Sequence, residues 1–282
     1  TLQLGREAAG TDYWNGKIGA FRYHNRILTD EEDRQLSHEY HRKLGGGGDF
    51  GSFVPAPSAH YDLLGDGCDV ATGSFNTSTS VTYGQADHLG LNRAAQFNGS
   101  AYIDLTYAAN PITSGAYAVY SVFKTPASAP ANLGVIYAHS NSSNNAQLNF
   151  GLRNSSGMKL EIGIWNGSSI PVIQSAALSA ETWYAAVAVA NGASSALYVA
   201  PVGSAVATST GTLNTVTPGF DRCCIGRDRY GNAYYFTGYV SCVGTIDKAL
   251  TADQAKFLLA EISGDSPYAF RRSILQAAGV YA

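Results

Sequence analysis

The sequence predicts an all-β protein, an antiparallel sandwich of two sheets with short capping helices. From His60 onward, almost every segment is a short run of aromatic and β-branched residues, bounded by turn residues. The 282 residues leave room for one large β domain with additional segments. The predicted strands lie in AAQFNGSAYIDL, AYAVYSVFKT, LGVIYAH, AQLNFGLR, MKLEIGIW, WYAAVAVA and ALYVAP, and the predicted turns at Asn98-Gly99, 154–157, Asn166-Gly167 and Asn191-Gly192.

The composition excludes two classes of partner. With 18 basic and 21 acidic residues the net charge is −3, and no block of like charge marks a nucleic-acid-binding surface. No apolar run approaches the length needed to span a membrane, so no membrane partner is expected. Only 14% of residues are charged, while Gly, Ser, Asn, Thr and Tyr are plentiful. This balance favours a neutral, hydrogen-bonding surface outside the cytoplasm.

Residues 1–44 are predicted to form a strand, a turn, a second strand and then a helix. GKIGAFRYHNR, at 16–26, has the period of two expected of a strand, and Thr29 with Glu32 forms a capping box that starts a helix. Residues 45–58 are a linker by composition, Gly-rich and then stiffened by prolines. The linker contains G-x-G-x-x-G, but a helix precedes it and prolines follow, so it is no dinucleotide fingerprint.

The pattern of the first segment recurs near the end of the chain, where it closes the β region with the helix TADQAKFLLAEI. A strand–helix unit of this size cannot bury its own apolar face. Residues 1–44 are therefore expected to be the C-terminal remnant of a second, similar domain, or else a unit that completes a sheet in a neighbouring subunit. The first interpretation is the simpler. In either case Ile18, Phe21, Ile27 and Leu36 are predicted to pack on a segment outside residues 57–264.

Four stretches carry a family pattern in a fixed order. AHYDLLGDGCDVATG reads as an opening strand and turn, RAAQFNGSAYIDL as ALxFDGxxDYVxL, ETWYAAVAVANGASSALYVAPVG as WHHVAVTYDGxxxxLYVDG, and IGRDRYGNAYYFTGYVSCVGTIDKALTADQ as the closing strands and helix. With this order and spacing, residues 59–262 resemble the laminin-G-like jelly roll of the concanavalin A superfamily. The resemblance implies a complete jelly-roll domain at 59–264, followed by a tail at 265–282.

The cysteines leave two interpretations open. Cys223 and Cys224 are adjacent and unsuited to pair with each other, and no C-x-x-C spacing suggests zinc. Buried thiols are the simpler interpretation. A disulfide from Cys68 to Cys242, or to one of the adjacent pair, is the alternative.

Catalysis is not expected. The resemblance extends to laminarinase-type glycoside hydrolases, which present two carboxylates on one strand as E-x-D-x-x-E. The nearest match here is Glu31 and Asp33 on a capped helix, with Leu36 in the third position. Glu161 lies on a predicted strand without a second carboxylate, and no G-x-S-x-G occurs. A glycoside hydrolase is thus the most distant of the functions considered.

Glycan binding is the favoured function, at the loop RDRYGNAYY (227–235). Its amides and carboxylate suit sugar hydroxyls, and its tyrosines offer ring faces to the C–H side of a sugar. Trp165 and Asn166, at the end of another strand, would join if they reach the same rim; a subunit contact would use the same aromatics. The candidate glycan-binding residues are Asp228, Arg229, Tyr230, Asn232, Tyr234, Tyr235, Trp165 and Asn166.

A calcium site is at most weak. In the pentraxin branch of the superfamily, calcium sits between a "DN" pair and an acidic loop, and the matching positions here are Asn144-Asn145 and Asp228. The carboxylate of the first loop is replaced by an amide, whereas calcium prefers several charged oxygen ligands. No other cofactor is expected.

Three functions from different classes follow. The first is a non-catalytic module that binds a cell-surface polysaccharide or glycoprotein, located extracellularly or on a virion, with other subunits of a larger assembly held through residues 1–44. The second is a structural virion or matrix protein that uses the sandwich as a subunit contact. The third is the glycoside hydrolase. Exposure of the 227–235 loop to solvent would favour the first over the second.

Overall fold

The structure is a computed structural model that describes residues 54–55, 57–63, 77–105, 112, 115–142, 147–215, 220–228 and 233–263. The predicted strand–helix unit at 1–44, most of the linker, Cys68 and the tail at 265–282 lie outside these residues, and their predictions stay untested. No helix in the described ranges is long and apolar enough to cross a membrane.

The described residues form fifteen strands in two antiparallel sheets, which confirms the predicted sandwich. Sheet A has eight strands in the order β13-β12-β11-β6-β15-β4-β3, with β1 also paired to β15; sheet B has seven, in the order β10-β9-β8-β7-β14-β5-β2. The strands are β1 (Ala59–Asp62), β2 (Thr77–Thr79), β3 (Thr82–Ala86), β4 (Asn92–Asn98), β5 (Tyr102–Leu105), β6 (Tyr117–Lys124), β7 (Leu133–Ser140), β8 (Gln147–Asn154), β9 (Met158–Trp165), β10 (Val172–Ala177), β11 (Trp183–Ala190), β12 (Ser195–Pro201), β13 (Ala207–Gly211), β14 (Arg222–Ile225) and β15 (Thr237–Ile246).

The core lies between the sheets and is filled by alternate residues of most of the strands. On β8, Leu148, Phe150 and Leu152 point into the core, while the residues between them face outward. The same alternation on β5 buries Ile103 and Leu105 and turns Tyr102 and Asp104 to the outer face of sheet B. Alternation in the sequence thus decides which residues can form an outer surface.

Three of the four predicted turns close hairpins, and the fourth does something else. The turns at 154–157, Asn166-Gly167 and Asn191-Gly192 join neighbouring strands, the last through a short 3-10 helix at Gly192–Ser194. Asn98-Gly99 instead carries the chain from β4 in sheet A to β5 in sheet B. The Asn98 side chain accepts hydrogen bonds from the backbone N–H groups of Ser100 and Ala101 at 3.1 Å each, which fixes this crossing.

One helix, α1 (Ala252–Ser263), follows the last strand and packs on the outer face of sheet A. The backbone N–H of Thr251 donates to Gln254 Oε1 at 2.9 Å, and the backbone N–H of Gln254 donates to Thr251 Oγ1 at 3.2 Å. This reciprocal pair is a capping box, and it starts the helix that the sequence predicts here. Leu258 and Leu259 are buried against the sheet.

The cysteines within the described ranges are buried. Cys223 and Cys224 are consecutive on β14, so their side chains leave opposite faces of sheet B. The Cys223 thiol donates to the Leu105 carbonyl at 3.8 Å and the Cys224 thiol to the Arg227 carbonyl at 2.8 Å. For these two residues, the buried-thiol interpretation is confirmed.

Candidate functional site

The candidate loop leaves sheet B where β14 ends, between β7 and β5. Gly226, the residue between β14 and the loop, has a φ of +91°, and a Cβ at this position would lie 2.5 Å from the Phe97 ring and 2.8 Å from the Ala101 carbonyl oxygen. Any other side chain would therefore be both strained and crowded. Glycine lets the chain turn sharply off the sheet and begin the loop.

Backbone hydrogen bonds close the base of this loop. The Asp228 N–H donates to the Ala233 carbonyl and the Phe236 N–H to the Gly226 carbonyl, both at 2.9 Å. The Val135 N–H, on β7, donates to the Tyr234 carbonyl at 2.8 Å. Both ends of the loop are thus attached to sheet B, although Arg229, Tyr230 and Asn232 at its tip lie outside the described residues.

Tyr234 is the described residue that the loop presents most openly. Tyr234 is 46% exposed. Its φ of +54° lies in the left-handed region, which residues other than glycine rarely adopt. Such a conformation costs free energy and persists only where the surroundings hold it. Here the bond from Val135 to the Tyr234 carbonyl is one of the contacts that hold it.

The ring of Tyr235, the residue after Tyr234, is paired with the ring of Tyr102. Their ring centroids are 6.3 Å apart, with the planes inclined at 51°. Both residues are partly exposed. Because Tyr102 lies on the outer face of β5, the pair joins the loop to sheet B.

Arg227, which is buried, contacts both Asp104 and the Tyr102 ring. Its Nη2 donates to both carboxylate oxygens of Asp104, at 2.9 and 3.1 Å, and its guanidinium carbon lies 3.5 Å from the centroid of the Tyr102 ring. Burial alone would lower the pKa of Arg227, but hydrogen bonds to Asp104 and Tyr235 outweigh it and raise the pKa above its ordinary value. Arg227 is therefore a fixed cation that holds one carboxylate and two tyrosines in place.

The Cys224 thiol, which is hydrogen-bonded to the backbone of Arg227, is neutral. Burial, and then the neighbouring Cys223, raise the pKa of the Cys224 thiol well above its usual range. This thiol stays protonated and donates to the Arg227 carbonyl. The Asp104 side chain, by contrast, is 31% exposed, so its carboxylate remains within reach of a ligand while it accepts from Arg227.

Asp228 lies in a different environment from the one its sequence position suggests. It is only 4% exposed, and its backbone N–H donates to the Ala233 carbonyl at the base of the loop. The other two calcium candidates, Asn144 and Asn145, lie outside the described residues. Among the residues that are described, no three His, Cys, Asp or Glu side chains gather as a metal would need.

Trp165 and Asn166 do not join the loop. Trp165 pairs with Gln147, which pairs in turn with Ser140 at the end of β7. Tyr235 is bridged to Val135, near the beginning of β7. The two candidate groups therefore lie at opposite ends of sheet B.

Asn166 has a local role in its own turn. Its side-chain oxygen accepts from the backbone N–H groups of Ser168 and Ser169 at 3.1 and 3.0 Å. This is the Asx-type bonding that shapes turns. The Asn166 oxygen is thereby used within the protein.

Glu161, the strand carboxylate, is compensated rather than available. It is 2% exposed, and its Oε2 accepts from Arg153 Nε at 2.8 Å and Gln174 Nε2 at 2.7 Å. Both donors lie on strands next to β9, on the outer face of sheet B. The carboxylate thus serves to bind neighbouring strands.

Sequence reasoning missed Tyr102, Asp104 and Arg227. The alternation in Tyr102–Leu105 does place Tyr102 and Asp104 on an outer face. The pattern does not show that β14, more than a hundred positions downstream, pairs with β5. This pairing places Cys224 opposite Asp104.

Comparisons with known proteins agree with this fold. A family model described as the concanavalin A-like lectin/glucanases superfamily matches residues 97–256. A comparison with curated protein sequences finds no significant match.

Among solved structures, domain 4 of AbnA, an extracellular arabinanase of Geobacillus stearothermophilus, superposes with a TM-score of 0.54 at 19% identity, covering 72% of this chain and 98% of that domain. The enzymatically active domain of tailspike protein 2 of bacteriophage CBA120 gives a TM-score of 0.51 at 10% identity, covering 66% of this chain and 30% of that one. At these identities the likeness shows the fold alone. Because the family model spans more than half of the sequence, the chain belongs to the concanavalin A-like lectin/glucanase superfamily.

Proposed function

We propose that this protein is a non-catalytic module that binds a glycan of a cell surface through the loop after β14. One observation carries the proposal: Tyr234 is 46% exposed on a backbone held in the left-handed region, and the ring of the next residue, Tyr235, pairs with the ring of Tyr102. The paired rings of Tyr235 and Tyr102, held next to Arg227, can bind a sugar face at little cost in conformational entropy. The exposed part of Asp104 supplies an acceptor for sugar hydroxyls.

The carboxylates of sheet B support a binding rather than a catalytic role. Glycoside hydrolysis requires two carboxyl groups facing one bond from both sides. In the described part of the chain, Glu161 is held by Arg153, and Asp104 by Arg227. Each acid is matched to its own cation.

The comparisons support the class of ligand, a saccharide, and the extracellular location of the protein. The arabinanase domain was solved in complex with arabinotriose, and that enzyme is extracellular. The second neighbour belongs to a phage tailspike. Together with the low fraction of charged residues, they favour a place at the outside of a cell or virion, within a larger assembly.

A glycan array with the full chain, followed by calorimetry on the best ligand and on arabinotriose, tests the proposal. Tyr234→Ala should weaken binding about ten-fold, because the variant loses the contact of the exposed ring with the sugar and a hydrogen bond of the Tyr234 hydroxyl to it. Phe257→Ala removes a side chain of similar exposure from α1 and should leave binding unchanged.

Two results would overturn the proposal. One is an array without any ligand. The other is a protein that forms oligomers which Tyr234→Ala dissociates, because the loop would then be a subunit contact. The melting temperature of each variant is measured alongside, so that a folding defect is not mistaken for lost binding.

A further inference from the structure

A row of side chains crosses the outer face of sheet A, away from the loop. Its members are directly opposite neighbours on five adjacent strands: Trp183, Lys124, Tyr239, Gln96 and Thr82. Opposite residues of antiparallel strands share one face. With strands about 4.8 Å apart, the four spacings give a row of about 19 Å.

The helix α1 leaves this part of the sheet uncovered. Trp183 and Lys124 are the terminal residues of β11 and β6 at one edge of the face. Further along β11, Val187 and Val189 are buried in one cluster with residues of α1. Trp183, Lys124, Tyr239 and Gln96 are all partly exposed.

The centre of the row combines two rings and a cation. The ring centroids of Trp183 and Tyr239 are 6.4 Å apart, with the planes inclined at 47°. Lys124 Nζ lies 5.6 Å from the centroid of the Tyr239 ring. The two aromatic residues are two strands apart, and Lys124 lies directly opposite both of them on the strand between.

The polar groups of this centre are available to a ligand. The Trp183 N–H, the Tyr239 hydroxyl and the Lys124 ammonium make no hydrogen bond to another described residue, and none is among the buried polar atoms. No described carboxylate lies within ion-pair distance of Lys124. A cation over an aromatic ring without an acidic partner complements an anion.

We propose that this row is a second saccharide-binding surface and that it takes an acidic saccharide, independently of the loop after β14. Sugar faces lie on the rings of Trp183 and Tyr239, a sugar carboxylate accepts from Lys124, and the Gln96 amide binds hydroxyls. An apolar protein partner fits less well, because it would bury the ammonium and the amide without partners.

The test uses calorimetry on the full chain with two matched ligands, a galacturonic acid tetramer and its methyl ester, which keeps the shape and lacks the charge. The wild type should prefer the acid. Lys124→Gln should weaken binding of the acid about ten-fold, as expected for one hydrogen bond to a charged group, and leave the ester unaffected. Tyr239→Ala should weaken binding of both.

Two controls separate this surface from the loop site. Lys159→Gln removes a partly exposed lysine from sheet B, and Tyr234→Ala removes the exposed ring of the loop; neither should change binding of the acid. The proposal is refuted if the wild type does not distinguish acid from ester, or if Lys159→Gln or Tyr234→Ala has the effect expected for Lys124→Gln. It is also refuted if the wild type is a dimer that Lys124→Gln dissociates, since a second copy would then cover the row.

Discussion

The contact between Arg227 and Asp104 should measurably stabilise the fold, and its size can be worked out from the burial of the two partners. Arg227→Met keeps most of the side-chain volume and removes both bonds to the carboxylate. Side-chain exposure is 7% for Arg227 and 31% for Asp104. Breaking a fully buried pair costs about 3–5 kcal/mol, and an exposed pair contributes about 0–1 kcal/mol.

The expected loss lies between these limits. Since Asp104 is one-third exposed, water can hydrate the carboxylate once the guanidinium is gone. We therefore expect Arg227→Met to lower the free energy of unfolding by about 2 kcal/mol, close to the value of one charge-assisted hydrogen bond. The contact of the guanidinium with the Tyr102 ring adds a fraction of this amount.

A double-mutant cycle in urea separates the pair from its surroundings. Arg227→Met, Asp104→Asn and the double variant are compared with the wild type. The loss in the double variant should be smaller than the sum of the two single losses by about 1 kcal/mol. Arg227→Lys should restore little of the loss, because an ammonium cannot lie flat against the Tyr102 ring while it binds Asp104. Additive single losses would refute the assignment of Arg227 as the residue that organises the site.

Three further predictions concern strain, pH and calcium. Gly226→Ala should lower the free energy of unfolding, measured in urea, by about 3 kcal/mol or more, because of backbone strain and overlap with the Phe97 ring. Gly90→Ala, at φ +74° with no atom within 4 Å, should lower it by about 1 kcal/mol, and equal losses would contradict the steric argument. Burial lowers the pKa of His139 to about 3, so only the unfolded state takes up this proton between about pH 6.5 and 3. The free energy of unfolding should therefore fall, as the pH is lowered through that window, by up to about 1.4 kcal/mol per pH unit. This dependence on pH should be shallower in His139→Gln, and an unchanged slope would assign the acid sensitivity to other groups. EDTA should leave the melting temperature unchanged, since an amide stands at Asn144, and a fall of many degrees would show a calcium site after all.

The strands that the sequence predicts well are those with a buried face. On β9 and β11 nearly every residue is buried, and both appear in the sequence as runs of apolar residues of strand length. β13 (ATSTG) was not predicted, because its side chains are exposed or only partly buried and carry no apolar alternation. β13 is set by its pairing with β12, which is a property of the folded sheet.

The capping box illustrates the opposite case, in which a local pattern suffices. Thr251 and Gln254 are three positions apart, and the bonds that they exchange depend on no distant residue. The start of α1 could therefore be predicted from four residues. The site requires Arg227 and Asp104, which are 123 positions apart. Nothing local to either residue encodes their contact.

The order of strands in sheet B explains both the success and the failure at the site. Trp165 is the last residue of β9, and Asp228 follows soon after the end of β14, so in sequence their positions look equivalent. In an antiparallel sheet, however, strands an odd number of steps apart run in opposite directions. β9 and β14 are three steps apart, so their ends lie at opposite edges of the sheet and Trp165 is carried away from the loop.

The same rule brings Tyr102 to the loop. β5 is one step from β14, so the beginning of β5 meets the end of β14, and the pairing of Ile225 with Ile103 sets Tyr102 next to the chain as it turns at Gly226. Arg227 then lies over the Tyr102 ring with Asp104 within reach of its guanidinium. Once the strand order is known, the composition of the site follows from counting steps and register. Before it is known, the residues after β14 can be identified as a candidate loop, but the residues of β5 that complete it cannot.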